Sequence, residues 1–390
     1  MASTASCQSN ATFELPECSS FCDLSVIDAH CDMASYPYTL VEPNIAGHQW
    51  LNLPTFCFYI KHRNTNAKLL FDLGCRKDWH NSVPSIVDLC KTKIPGLRVG
   101  SDVIDILEAG GVQRDALQAV ILSHWHYDHC GDPARLDKKT DLVVGQGFKD
   151  KFYPGYPRKK DSTFWEAAFE GRNVVEVPFS ANFEIGGLRA HDYFDDGSLY
   201  ILDIPGHAIG HIGALVRTSS NSAVLLGGDA CHFTGMLRPS ERKQLPNTLP
   251  LQTVRLPHIS SSCPCDLFTS SHPDSENSNK TPFYRPSSHK DSFYVEPAVA
   301  QQSLSALQVF DADPNVLILI AHDNAPRMVL PFYPSSTIND WKEQGYKDQM
   351  YWAFVNELPV DGRQRSEILA DGLYDDQSNK LRDLLPAVDT

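Results

Sequence analysis

Three things are scarce in this chain of 390 residues, and each scarcity excludes something. No window approaches the ~20 continuous apolar residues of a membrane-spanning helix. The opening residues, MASTASCQSNATFELPECSS, lack the basic flank and apolar stretch of a secretory signal, so the sequence predicts a cytoplasmic protein. Positive charge is short: 34 Lys and Arg against 48 Asp and Glu give a net charge of −14. Such a balance repels phosphate backbones and anionic lipid heads, and it argues against a nucleic-acid or membrane partner. Paired cysteines are also missing. The eleven cysteines are an odd set scattered from Cys7 to Cys265, and they read as reduced thiols rather than a disulfide framework. Cys263 and Cys265 stand too close for the usual Cys-x2-4-Cys zinc ladder and read as loop cysteines.

What is present is ordinary for a globular protein, with 42% apolar and 21% charged residues. The length allows one large domain or two smaller ones; the reading favoured is a single domain spanning 1–390, with an irregular N-terminal extension over 1–50. From Phe56 onward, short apolar runs bounded by turn residues predict strands at 56–60, 69–74, 119–122, 141–145, 173–179, 199–206, 213–218, 223–230 and 315–323. Helices are predicted at 82–94, at 101–111 and from Pro297 to Phe310. In the second, Ser101 or Asp102 serves as N-cap and Gly110-Gly111 as the stop. The stretch 260–293 is rich in Ser, Pro, Asn and His. It reads either as a linker or as a long functional loop inserted into the domain, and the loop is favoured because the donor set is completed after it. Phe268, Phe283, Tyr284 or Phe293 would then shape a pocket.

The most informative residues are His124-Trp125-His126-Tyr127-Asp128-His129, directly after the apolar run AVIL. Imidazoles and a carboxylate at this density suit Zn²⁺, Mn²⁺ or Fe²⁺, and the absence of thiolate argues against a structural zinc site. Three further apolar runs end in donors: Pro205-Gly206-His207, Gly227-Gly228-Asp229 and Ala321-His322-Asp323. Each would be presented at a sheet edge to one cleft, giving five histidines and two aspartates.

The order HxHxDH, PGH, GGD and a late AHD, running from His124 to His322, resembles the metallo-β-lactamase superfamily in its dinuclear hydrolase form. The resemblance implies an α/β fold, an αββα sandwich of two mixed β-sheets, and two Zn²⁺ per chain. Carried over by motif, His124, His126 and His207 hold the first ion, Asp128, His129 and His322 the second, and Asp229 bridges. The implied reaction is attack by a hydroxide bridging the ions, whose pKa is lowered to about 7. Asp72 in LLFDLG fits a structural aspartate of the family. His211 reads as a turn residue or one that supports a ligand, Cys130 and Cys231 as packing, and Asp323 as a carboxylate that could orient an imidazole. One of Trp125 and Tyr127 is expected to face substrate and the other the core.

Among the superfamily's hydrolases, the chain resembles the N-acyl-homoserine lactonases and their fungal-type relatives, some of which open benzoxazolinone-type lactams. The segments Phe310–Pro314 and Arg238-Pro239-Ser240 point to the latter group. The expected function is therefore a detoxifying lactonase or lactamase acting on a small cyclic ester or amide. Asp128 and His232 are the candidate catalytic side chains. Bacterial lactonases carry a tyrosine where this chain has His232, which reads either as a proton donor or as a packing residue. A thioesterase, an iron-dependent oxygenase and a non-catalytic binding protein are the alternatives.

Overall fold

The computed structural model describes residues 13–254 and 262–386. Residues 1–12 of the expected extension, with Cys7, and Ser260 and Ser261 at the start of the expected loop lie outside the described residues.

Two mixed sheets pack face to face. The larger has nine strands, in the order Lys380–Asp383, Gly372–Tyr374, Gly96–Val99, Cys22–Ser35, Leu51–His62, Lys68–Phe71, Ala119–Ile121, Asp141–Val144 and Val174–Glu176. Its last four strands run parallel to one another, while Cys22–Ser35 and Leu51–His62 pair antiparallel. The smaller has six strands. An antiparallel meander runs from Glu184–Ile185 through Leu188–Asp192, Leu199–Asp203 and Ile212–Ser219 to Ser222–Leu226, and Val316–Leu319 joins it in parallel.

Side-chain alternation decides which residues meet between the sheets. Ile201, Ala214, Val224, Leu226 and Leu317 face inward against Leu24, Val26, Phe56, Phe58 and Phe71. Their neighbours Leu202, Leu215, Leu225 and Ile318 face outward and are covered by Leu304, Leu307 and Phe310 of the helix Pro297–Ala312. On the other side, Leu70, Val120 and Leu142 are covered by Val103, Ile104 and Leu107 of the helix Val103–Ala109 and by Phe148 and Phe152 of Phe148–Phe152. Helix, sheet, sheet, helix is the αββα sandwich. Among the described residues no helix is long and apolar enough to cross a membrane.

Three expectations are corrected. The stretch 1–50 is not irregular throughout, because Cys22–Ser35 is a fourteen-residue strand in the centre of the larger sheet. Its polar residues gave it the look of a loop in sequence, but Arg327 reaches Asp28 at 2.7 Å and Asp32 at 2.6 Å, so their burial is compensated. Asp102 stands at the N-cap without capping through its side chain, which accepts instead from the Lys77 amide at 2.9 Å. The described part of 260–293 is tied to the rest of the fold, where Ser262–Pro264 pairs with Thr248–Pro250 and Arg285–Pro286 with Val41–Glu42, and three of its four expected pocket aromatics lie elsewhere. Phe268, Phe283 and Tyr284 are buried in the core rather than in a pocket.

Candidate metal centre and cavity

The donors stand just beyond the C-terminal ends of four strands. Ala119–Ile121 leads to His124, His126 and the short helix Tyr127–Cys130, which carries Asp128 and His129. Leu199–Asp203 leads to His207, Ser222–Leu226 to Asp229, and Val316–Leu319 to His322. Two glycines make the tight turns possible. Gly206 has φ +121° and lies so near the helix Pro297–Ala312 that a Cβ there would sit 2.1 Å from the Ala300 nitrogen. Gly228 has φ +51°, where a Cβ would meet that of Ser123 at 2.9 Å.

These turns assemble two donor groups. In the first (His124, His126, His207, Asp229) and in the second (Asp128, His129, Asp229, His322), one donor atom from each residue lies within 4.8 Å of the others. Asp229 belongs to both and divides its oxygens between them. Its Oδ2 is 3.6 Å from His124 Nε2 and 3.4 Å from His207 Nε2, whereas Oδ1 is 3.0 Å from His129 Nε2 and 3.1 Å from His322 Nε2. All seven sequence-predicted residues therefore converge.

The outer nitrogens are held by neighbours that also set their tautomers. Asp72, at φ +63°, accepts from His129 Nδ1 at 2.8 Å and from the Ser123 amide and hydroxyl. The Ser123 hydroxyl in turn accepts from His124 Nδ1 at 3.0 Å. His322 Nδ1 donates to the Pro54 carbonyl at 2.8 Å. His211 donates from Nδ1 to the Ile204 carbonyl and accepts the Asp229 amide on Nε2, so it supports a ligand and adds no donor. Asp323 orients no imidazole: its carboxylate accepts from the Ala325 amide, and the Pro54 carbonyl does the orienting. Cys130 and Cys231 are buried thiols outside both groups.

The inner atoms suit cations. His124 Nε2, His129 Nε2 and Asp229 Oδ1 are buried without a hydrogen-bond partner, an arrangement that is costly unless something else binds them. Burial pushes His124 and His207 well below the ordinary imidazole range and brings His126 to about 4, which leaves neutral lone pairs. Burial also opposes charge on His129, yet Asp229, Asp128 and Asp72 raise its pKa well above the usual value. The same three carboxylates would favour a cation at that imidazole. A donor set of imidazole and carboxylate without thiolate fits a borderline divalent ion such as Zn²⁺.

The metallo-β-lactamase superfamily model matches residues 51–251, which hold six of the seven donors. The chain belongs to the metallo-β-lactamase superfamily. It is 37% identical over 360 residues to the γ-lactamase FDB1 of Fusarium pseudograminearum (strain CS3096), covering 89% of this chain and 85% of that one. It is also 37% identical over 350 residues to the metallo-hydrolase mfmC of Annulohypoxylon moriforme, covering 88% and 89%. A crystal structure of a B. thuringiensis AiiA variant, with N-decanoyl-L-homoserine bound at its active site, matches with a TM-score of 0.50 at 15% identity. That match covers 83% of this chain and 99% of that one, and the likeness is one of fold. Family and donor set together support a metal-dependent hydrolase.

In this member of the superfamily a cavity of about 210 Å³ opens over the donors. Met33, Leu40, Leu53, Ile86, Leu89, Ile94 and Phe293 form its apolar wall, and no lysine or arginine is among its described lining residues. Trp125 and Tyr127 both line it and both also pack against core residues, Trp125 with its ring 5.0 Å from that of Phe152; the Tyr127 hydroxyl rests 2.9 Å from Met33 Sδ. Of the aromatics expected from the 260–293 stretch, Phe293 alone reaches the cavity. His232 lies at its edge with Nε2 3.1 Å from Asp229 Oδ2 and Nδ1 3.0 Å from the Tyr294 hydroxyl. The sequence reading missed Tyr294, Pro54 and the wall residues of Cys22–Ser35. Nothing local marks them, since each acts through a distant partner.

Proposed function

We propose that this protein is a dizinc hydrolase that opens a small, neutral cyclic ester or amide, a lactone or lactam such as a benzoxazolinone-type xenobiotic. The observation that carries the reading is the division of Asp229 between two complete donor groups at the floor of an apolar cavity without cations. In this reading His124, His126 and His207 hold one ion, Asp128, His129 and His322 the other, and Asp229 both. Ions there would supply a Lewis acid for a carbonyl and a water activated near neutral pH.

The chain's own contribution is positioning. Asp72, Ser123, His211 and Pro54 keep the donor nitrogens and Asp229 aimed inward. The wall of Met33, Ile86, Leu89, Ile94 and Phe293 holds an apolar ring or chain and excludes water from the reacting bond. His232 presents Nε2 toward the same space, where a hydrogen bond to the carbonyl oxygen or the leaving atom assists ring opening. Asp128, half of the second group's charge, is the other residue assigned to the reaction. Similarity to a γ-lactamase supports the cyclic-amide class. The net charge of −14 and the uncharged wall support a small molecule as partner, with no role for nucleic acid or a membrane surface. A single catalytic domain in the cytoplasm, serving detoxification, completes the proposal.

Metal analysis and a substrate panel test it. Two zinc ions per chain, with turnover of lactones or lactams above thioesters, are expected. A single iron, or preference for thioesters, would overturn the reading in favour of an oxygenase or a thioesterase.

A further inference from the structure

His232 and Tyr294 are 62 residues apart in sequence, yet the structure joins them at 3.0 Å with 3% and 4% of their surfaces exposed. We propose that Tyr294 is a positioning residue, which holds His232 in the tautomer that aims an N–H from Nε2 into the metal cleft. The proposal rests on the hydrolase reading above and assigns a role within it.

The argument is one of donor and acceptor counting. Asp229 Oδ2, 3.1 Å from His232 Nε2, belongs to a carboxylate and accepts only. A hydrogen bond between them therefore requires the proton on Nε2. A neutral imidazole so protonated carries a lone pair on Nδ1, and a lone pair needs a donor. The Tyr294 hydroxyl is that donor; its other polar neighbour, Met236 Sδ at 4.0 Å, is a weak acceptor that leaves the O–H free to turn to Nδ1. Packing fixes the rings. The imidazole of His322 stacks on His232 at 5.4 Å with the planes 14° apart, and Tyr294 meets His207 edge-on at 5.0 Å.

The backbone around Tyr294 is tied to the turn that carries a metal donor. Val295 donates its amide to the His207 carbonyl at 3.0 Å, and Glu296 donates to Gly206 at 2.8 Å. The phenol is thereby placed in register with the Pro205-Gly206-His207 turn. The segment before it thus ends by delivering an aromatic wall residue, Phe293, and the tyrosine that orients His232.

The test uses full-length Tyr294→Phe, which keeps the ring and removes the hydroxyl. In ¹⁵N-histidine spectra of the zinc-loaded protein, wild-type His232 should show a protonated Nε2 and an unprotonated, hydrogen-bonded Nδ1. In Tyr294→Phe the Nδ1 signal should move downfield, toward that of a free lone pair. On the best substrate of the panel, Tyr294→Phe should lower kcat roughly 10–100-fold, the range for losing an outer partner of a site, with KM and zinc content unchanged. In a His232→Ala background the same change should cost nothing more, because the tyrosine acts through the histidine. A wild-type Nδ1 that carries the proton would overturn the proposal, and so would a full additional loss in the His232→Ala background. Failure of the hydrolase reading looks different: the panel shows no turnover at all, and the nitrogen spectra still decide the tautomer.

Discussion

Asp229 and Asp311 are both aspartates with 2% of their surface exposed, and they sit in buried polar clusters built on opposite terms. Around Asp311 every charge is answered. The Arg238 guanidinium forks onto its carboxylate at 2.6–3.2 Å, and the Tyr351 hydroxyl donates to it at 2.6 Å. Lys347 spends its ammonium on the carbonyls of Asp311, Asp313 and Val316. Around Asp229 the neighbours are imidazole nitrogens, and Oδ1 is left without a hydrogen-bond partner. A satisfied cluster of this kind can only hold elements together, here the helix Tyr346–Tyr351 against the end of Pro297–Ala312. An unsatisfied one stores binding capacity. What marks the Asp229 cluster is that its unpartnered atoms belong to groups of donors converging on one place, whereas the charges around Asp311 are paired.

The comparison breaks most sharply at Asp229. Asp229→Ala removes a donor from both groups at once and is expected to abolish hydrolysis and binding of both ions, measured by turnover and metal analysis. Chelation should lower the melting temperature of the wild type and leave that of Asp229→Ala unchanged. Retention of both ions by the variant would remove the bridging role.

At the other cluster the expected loss is of stability rather than chemistry. Arg238→Ala strands a buried carboxylate and should cost about 3–5 kcal/mol in denaturant unfolding, with zinc content of the folded protein intact. Replacing both partners, Arg238→Met with Asp311→Leu, should restore much of that loss, because no uncompensated charge is then left. If the single change removed metal as well, the two clusters would not be independent.

A smaller effect is expected at Asp72, which belongs to the metal cluster only through its contacts. Asp72→Asn should weaken zinc at the second group roughly 10–100-fold in competition titrations, more than at the first, since His129 is held directly and His124 through Ser123. Equal weakening at both would place Ser123 on a par with the direct contact.

Glu357 carries the smallest. Burial raises its pKa from the ordinary 4.5 to about 7, although Asn324 donates to it at 3.0 Å. The folded state therefore holds this proton more tightly than the unfolded one, and the group's contribution to stability falls as pH rises from 4.5 through about 7. Glu357→Gln should raise the melting temperature at pH 8 relative to the wild type and change it little near pH 4.5. The opposite order would mean that the buried carboxylate is compensated as fully as Asp311.

Much of the site could be read in advance because its information is local. Each donor follows an apolar run by a few residues, so a strand and a turn suffice to place it at a sheet edge. The strand Cys22–Ser35 was not readable in that way. Asp28 and Asp32 are tolerated in mid-sheet because Arg327, brought from the far side of the chain, neutralises them. Arg238 and Asp311 stand in separate segments of the sequence, and nothing in either indicates that they pair.

The residue types and spacing of HxHxDH, PGH, GGD and AHD carried the resemblance to the family, with the fold class it implies, and named the seven residues that converge, because coordination chemistry and strand-end turns are properties of short segments. Tertiary structure alone decided that Asp229 gives one oxygen to each group, that Pro54 rather than Asp323 orients His322, that the cavity wall is apolar and uncharged, and that Tyr294 faces His232. These depend on contacts between residues tens to hundreds of positions apart. Such contacts arise when two sheets pack face to face and bring their strand ends to one edge, and no local pattern records which side chains then meet.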